Sequence, residues 1–109
     1  MVYFVQSGNA GPIKIGYAST MALLTSRLLG LQSSNPEPIQ CLGFMEGARQ
    51  DEYRTQASFS QYHIHGEWFR ANDTLLSYIT EHSTPYTAPR MQWEVKDRKR
   101  PRINKLAKT

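Results

Sequence analysis

The side chains of this 109-residue chain that could do chemistry are few and unevenly spread. Arg27 is the single charged residue between Ala18 and Pro36. A guanidinium isolated on an uncharged stretch either lays its stem along apolar surface or meets a carboxylate or phosphate with its planar fork. Tyr3 stands in the aromatic and β-branched opening Val2-Tyr3-Phe4-Val5, where sheet packing is the ordinary use of a phenol. Glu52 is surrounded by Arg49, Asp51 and Arg54, a setting that suits a surface ion pair. His63 and His65, two apart ahead of Gly66, have ligand-like spacing, but an extended segment gives them no partner of matching type, so zinc is not expected. The run Lys96-Asp97-Arg98-Lys99-Arg100-Pro101-Arg102, followed by Lys105 and Lys108, could neutralise several phosphates and lend salt-sensitive affinity for nucleic acid. The plainer alternative for that run is a solvated terminus, and charge alone does not distinguish DNA, RNA or an acidic protein.

These groups need a scaffold, and 12.5 kDa allows one compact domain. Hydrophobic content of 39% with 11% aromatics is enough to bury a core and excludes a disordered chain. The formal charge of +4 divides into −1 over residues 1–90 (six Lys/Arg, seven Asp/Glu) and +5 over residues 91–109 (seven and two), so the basicity lies in the C-terminal segment. Apolar runs such as Met21-Ala22-Leu23-Leu24 fall far short of the roughly 20 residues that cross a bilayer. No basic, then apolar, then small-residue leader opens the chain, and the expectation is a soluble cytoplasmic protein without membrane partners. Cys41 stands alone, which excludes an intrachain disulfide and a thiolate zinc cluster.

The pattern predicts two short strands, Val2 to Gln6 and Ile13 to Tyr17, separated by the turn-forming Ser7-Gly8-Asn9-Ala10-Gly11-Pro12. Ser19 or Thr20 can cap a helix in which Leu23, Leu24, Leu28 and Leu31 recur at helical spacing and which Asn35-Pro36 stops. Pro38 to Met45 reads as a third strand, antiparallel because its connections are short. A second helix from about Arg49 carries Glu52, Tyr53, Gln56 and Phe59 and ends before a His63-Ile64-His65-Gly66 turn. Asn72 can cap a third helix that ends near His82. The expected class is α+β, a three-stranded antiparallel sheet flanked by helices.

Four blocks stand at the joints of these elements. They are Met1-Val2-Tyr3 with Lys14-Ile15-Gly16; Arg27-Leu28 leading to Leu31-Gln32-Ser33-Ser34-Asn35-Pro36; Glu52 with Phe59 seven residues later; and Gly66-Glu67-Trp68-Phe69. In this order they resemble the signatures of the GIY-YIG nuclease superfamily, most of all its short phage-type branch. The first triplet keeps only its Tyr, with Met1 in place of Gly, and Lys14 replaces the second Tyr. Thr55-Gln56 stands where the branch usually carries Leu-His.

The resemblance implies a catalytic domain over residues 1–84 followed by a flexible basic arm, 85–109. By resemblance Tyr3 is the general base, Arg27 clamps the phosphate, and Glu52 holds one divalent ion, Mg²⁺ or Mn²⁺, with water filling most of the shell. Lys14, placed across the hairpin from Tyr3, is expected to lower its pKa. Bringing a phenol from about 10 to about 7 takes roughly 4 kcal/mol. Tyr17 is a second candidate phenol, although a regular strand puts it on the face of Ile15, away from Gly16. Trp68 and Phe69 are expected in the core, Glu67 to tie down backbone, and His63 to contact phosphate, with Lys96, Arg98, Lys99, Arg100 and Arg102 gripping DNA.

Two functions follow. One is a metal-dependent DNA endonuclease, phage-encoded and weak in sequence choice, needing a homodimer or two encounters to cut both strands. The other is a nucleic-acid-binding or counter-defence inhibitor protein on the same fold, directed at DNA or at a host defence protein and catalytically weakened by the missing His.

Overall fold

Alternating β-branched and aromatic residues make Val2–Ser7 (β1) and Ile13–Tyr17 (β2) an antiparallel hairpin, turned at Gly8 in the left-handed region at φ +67°. A computed structural model describes residues 1–87, so the basic run from Lys96 to Arg102 lies outside the described residues. Helix α1 (Met21–Ser33) starts where the Thr20 hydroxyl accepts the Leu23 amide at 3.1 Å. Strand β3 (Ile39–Met45) pairs antiparallel with β1, and helix α2 (Arg49–Ser58) follows, its first turn held by the Asp51 carboxylate accepting the Ala48 amide at 2.7 Å. A single 3-10 turn (Ser60–Tyr62) leads into β4 (His63–His65) and β5 (Trp68–Phe69). Helix α3 (Asp73–His82) is capped by Asn72, whose side-chain oxygen accepts the Leu75 amide at 2.9 Å.

The sheet has five strands in the order β3-β1-β2-β5-β4, all pairs antiparallel. This corrects the expectation of three. The segment read as a turn and a lead-in forms a second hairpin about Gly66, at φ +57°, and adds to the free edge of β2 through Ile13↔Phe69 and Lys14↔Trp68. Strands of three and two residues are too short to show an alternation.

Each face of the sheet carries its own core. Val2, Phe4, Ile13 and Ile15 point to one side and pack with Phe59, Phe69, Leu75 and Ile79 of the later elements. Tyr3 and Val5 point to the other and pack with Ala18 and Leu24, with Leu28 and Leu31 partly covered beside them. Within α1 only Leu24 is fully buried, and Leu23, expected on the apolar face, is exposed.

The block after α1 acts as a clip. Gln32 donates to the Glu37 carbonyl at 3.1 Å and accepts from the Ile39 amide at 2.9 Å, while Asn35 donates to the Ser7 hydroxyl at 3.1 Å and the Glu37 carbonyl at 2.7 Å. Helix α1 is thereby tied to the ends of β1 and β3. Past α3, Thr84 bridges Phe44 of β3, and the Tyr86 and Thr25 hydroxyls lie 3.1 Å apart. Among the described residues, no helix is long and apolar enough to cross a membrane.

Candidate functional site

The hairpin register decides which side chains can meet. Tyr3 lies opposite Gly16 and Val5 opposite Lys14, so Tyr3, Gly16 and Lys14 share the face beneath α1. Lys14 therefore lies across the hairpin from Tyr3 on the diagonal. Gly16 is what lets the phenol lie flat on the sheet: a Cβ there would stand 2.5 Å from the Tyr3 hydroxyl and 2.8 Å from its ring carbon Cε1. From above, Arg27 of α1 reaches back to the strand end and donates to the Tyr17 carbonyl at 2.6 Å.

Tyr3, Lys14, Arg27 and Glu67 line one open hollow of about 370 Å³, together with Leu28 and Leu31 of α1. Three cationic or phenolic groups named from sequence thus converge, and Glu67 joins them. Its place follows from β5: the Ile15 amide donates to the Glu67 carbonyl at 2.9 Å, Phe69 is buried two residues on, and the Glu67 carboxylate accepts from the Lys14 ammonium at 2.7 Å. Glu67 was expected to tie down backbone, and its carboxylate instead pairs with Lys14 and faces the hollow. An acidic residue between a left-handed Gly66 and an aromatic anchor was the available signal.

Glu52 sits behind this wall, buried, on the first turn of α2. Helix α2 lies where the β2 edge runs past the end of β5, and Gln56 closes that edge by donating to the Ile15 carbonyl at 2.8 Å. The same amide donates to Glu52 Oε2 at 3.2 Å. Arg49 approaches Oε1 only to 3.8 Å, and that buried oxygen has no hydrogen-bond partner. The Glu52 and Glu67 carboxyls are near enough for each to shift the other's protonation.

The electrostatics follow from burial and these neighbours. Glu52 is pushed up to about 7, first by desolvation and then by the hydrogen bond and repulsion from Glu67, against the pull of Arg49 and Lys14. Glu67 is also penalised by burial, yet its hydrogen bonds with Lys14 and Glu52 outweigh this and leave it below the usual carboxylate range. The Tyr3 phenol moves up from its ordinary value, because desolvation exceeds the lowering by Lys14 and Arg27. This corrects the expectation of a lowered phenol: the cations act in the expected direction, and the closed surroundings win.

A hard divalent cation fits the donors present. The pair Glu52 and Glu67 offers carboxylate oxygens, one of them buried and unpartnered. Among the described residues no three His, Cys, Asp or Glu side chains cluster for a metal, so water would fill the remaining positions, as Mg²⁺ tolerates.

Other candidates lie elsewhere. The Tyr17 ring turns to the α2 side, under the Arg49 guanidinium at 4.9 Å, and contributes its carbonyl to Arg27. His63 lines a separate hollow with Tyr53, Gln56 and Phe69; its Nε2 donates to the Gly66 carbonyl at 2.8 Å. Lys96, Arg98, Lys99, Arg100 and Arg102 lie outside the described residues.

The model of one family, the T5orf172 domain, matches residues 1–88. No curated protein and no solved structure matches the chain.

Proposed function

Because the chain belongs to the T5orf172 domain family, a phage-type and nuclease-associated domain, we propose that it is a metal-dependent DNA endonuclease of the GIY-YIG kind. The observation that carries this is the single hollow where the Tyr3 phenol, the Lys14 ammonium and the Arg27 guanidinium meet the Glu67 carboxylate, with Glu52 buried behind it. Phosphodiester hydrolysis asks for those parts: a base for water, positive charge on the phosphoryl oxygens, and a carboxylate for a cation.

Arg27, exposed and anchored through one nitrogen to the Tyr17 carbonyl, also acts on the Tyr3 phenol and presents its guanidinium to the hollow for phosphoryl oxygens. Tyr3 takes a proton from the attacking water at its phenolic oxygen, and Lys14 on the same face stabilises the phenolate. Glu52 holds a divalent ion, Mg²⁺ or Mn²⁺, through its unpartnered oxygen. Bound there, the ion supplies Lewis-acid stabilisation of charge developing on the phosphodiester. The seven Lys and Arg of residues 91–109 add contacts to DNA backbone.

Nicking of a supercoiled plasmid in Mg²⁺ or Mn²⁺ tests this. Tyr3→Phe, Arg27→Ala and Glu52→Ala should each lower the rate by about 10²-fold or more, with folding confirmed by circular dichroism. Nicking that is the same in all three variants would sink it.

One observation favours a second function, binding without cutting. Gln56, at the position of the branch's usual His, has its amide engaged by Glu52 and Ile15 and cannot exchange protons. DNA binding with no divalent-dependent nicking would select this alternative.

A further inference from the structure

We propose that Glu67 is the second protein ligand of the divalent ion, sharing it with Glu52, and that Lys14 holds the Glu67 side chain in place until the ion arrives. This rests on the assignment of Glu52 as a ligand and adds a residue, a ligand count and a role for Lys14.

Glu52 alone leaves an unsolved problem in the fold. Its side chain is 1% exposed, Oε2 is satisfied by Gln56, and Oε1 has no donor although Arg49 stands 3.8 Å away. A buried carboxylate oxygen without a partner is costly, and a donor or a cation is what removes the cost. Glu67 lines the hollow in front of it, and the two carboxyls are near enough to act on each other. Two carboxylates in contact repel unless a shared proton or a positive charge lies between or beside them, and as pH rises past about 7 the proton leaves. Lys14 provides that charge on one side, through Glu67 Oε1 at 2.7 Å, and on the other Arg49 stays 3.8 Å from Glu52 Oε1, beyond hydrogen-bond reach.

The main chain at Glu67 is fixed by backbone pairing, while its carboxylate is held by side chains alone. The carbonyl is bonded to the Ile15 amide and Phe69 is buried next door, whereas the side chain is 41% exposed. Rotation of one side chain can thus carry the carboxylate from the ammonium to a cation without moving the sheet. The donors are carboxylate oxygens with no thiolate or imidazole joined to them among the described residues, which selects a hard ion completed by water.

Binding of Mn²⁺ to the full chain, followed by loss of the free-ion electron paramagnetic resonance signal, tests this apart from nuclease activity. The wild type should bind one ion, and Glu52→Gln and Glu67→Gln should each weaken binding about tenfold or more. Glu67→Gln keeps an oxygen for Lys14, and thermal melting in EDTA checks that it folds. A count of ¹⁷O-water on the wild-type complex needs no variant: two carboxylates leave about four waters on a six-coordinate ion, one leaves about five. Wild-type affinity in Glu67→Gln, or five waters, would overturn the shared site while leaving the Glu52 assignment standing. No Mn²⁺ binding by the wild type at millimolar concentration would overturn both.

Discussion

A buried phenol is a poor base until something draws its proton away, and Tyr3, only 2% exposed, is in that position. With its pKa raised above the ordinary 10, the phenolate fraction grows about tenfold per pH unit throughout the neutral range. Nicking should therefore climb with pH from 7 to 9, and a flat profile would exclude Tyr3 as the base. Lys14→Met should slow it by a similar factor at pH 7 and at pH 9, since loss of the ammonium raises the phenol further and both pKa values lie above that range. Glu52 imposes the opposite dependence on stability. Its folded pKa, about 7, lies above its ordinary 4.5, so its favourable contribution is complete below that ordinary value and disappears as pH rises through 7. Melting in EDTA should fall by several degrees between pH 5 and pH 8.5, Glu52→Gln should flatten the decline, and Mn²⁺ at pH 8.5 should reverse it. Gly16→Ala sets a methyl against the Tyr3 ring and should cost about 1–3 kcal/mol, seen as a lower melting temperature, together with most of the nicking.

Among the elements, Asn35 offers a test of positioning. Asn35→Ala removes the bonds to Ser7 and Glu37 and should cost about 1–2 kcal/mol, again read by thermal melting, since the tie from α1 to β1 is loosened. The first hairpin, the three helices and both side-chain caps were legible because each is written in adjacent residues: Val2-Tyr3-Phe4-Val5 against Ile13-Lys14-Ile15, Thr20 before α1, Asn72 before α3. Tyr3, Lys14 and Arg27 were legible through the motif spacing, and they do meet. The second hairpin was not, because β4 and β5 exist as strands only through pairing with β2 across more than 50 residues. Glu67 escaped with it. Nor does any local pattern say that Tyr17 turns under Arg49, since that depends on where α2 crosses the β2 edge.

At the scale of the whole molecule, Tyr3 of β1, Lys14 of β2, Arg27 of α1, Glu52 of α2 and Glu67 beside β5 come from five segments, so a chain lacking its second hairpin has no complete hollow. Within that hollow the charges oppose one another, Lys14 against Glu67 and Arg27 near both. A cavity balanced in this way exerts little pull over a distance beyond the Debye length of about 8–10 Å. Capture of a polyanion then falls to the +5 carried by residues 91–109. Removing residues 88–109 should leave melting unchanged, lower DNA affinity, and flatten the slope of log affinity against log salt by several of the roughly 0.9 contributed per neutralised phosphate. Arrival and incision would accordingly answer to different variables: ionic strength would set how often a duplex is met, and a docked duplex would be cut at a pace that added salt hardly alters.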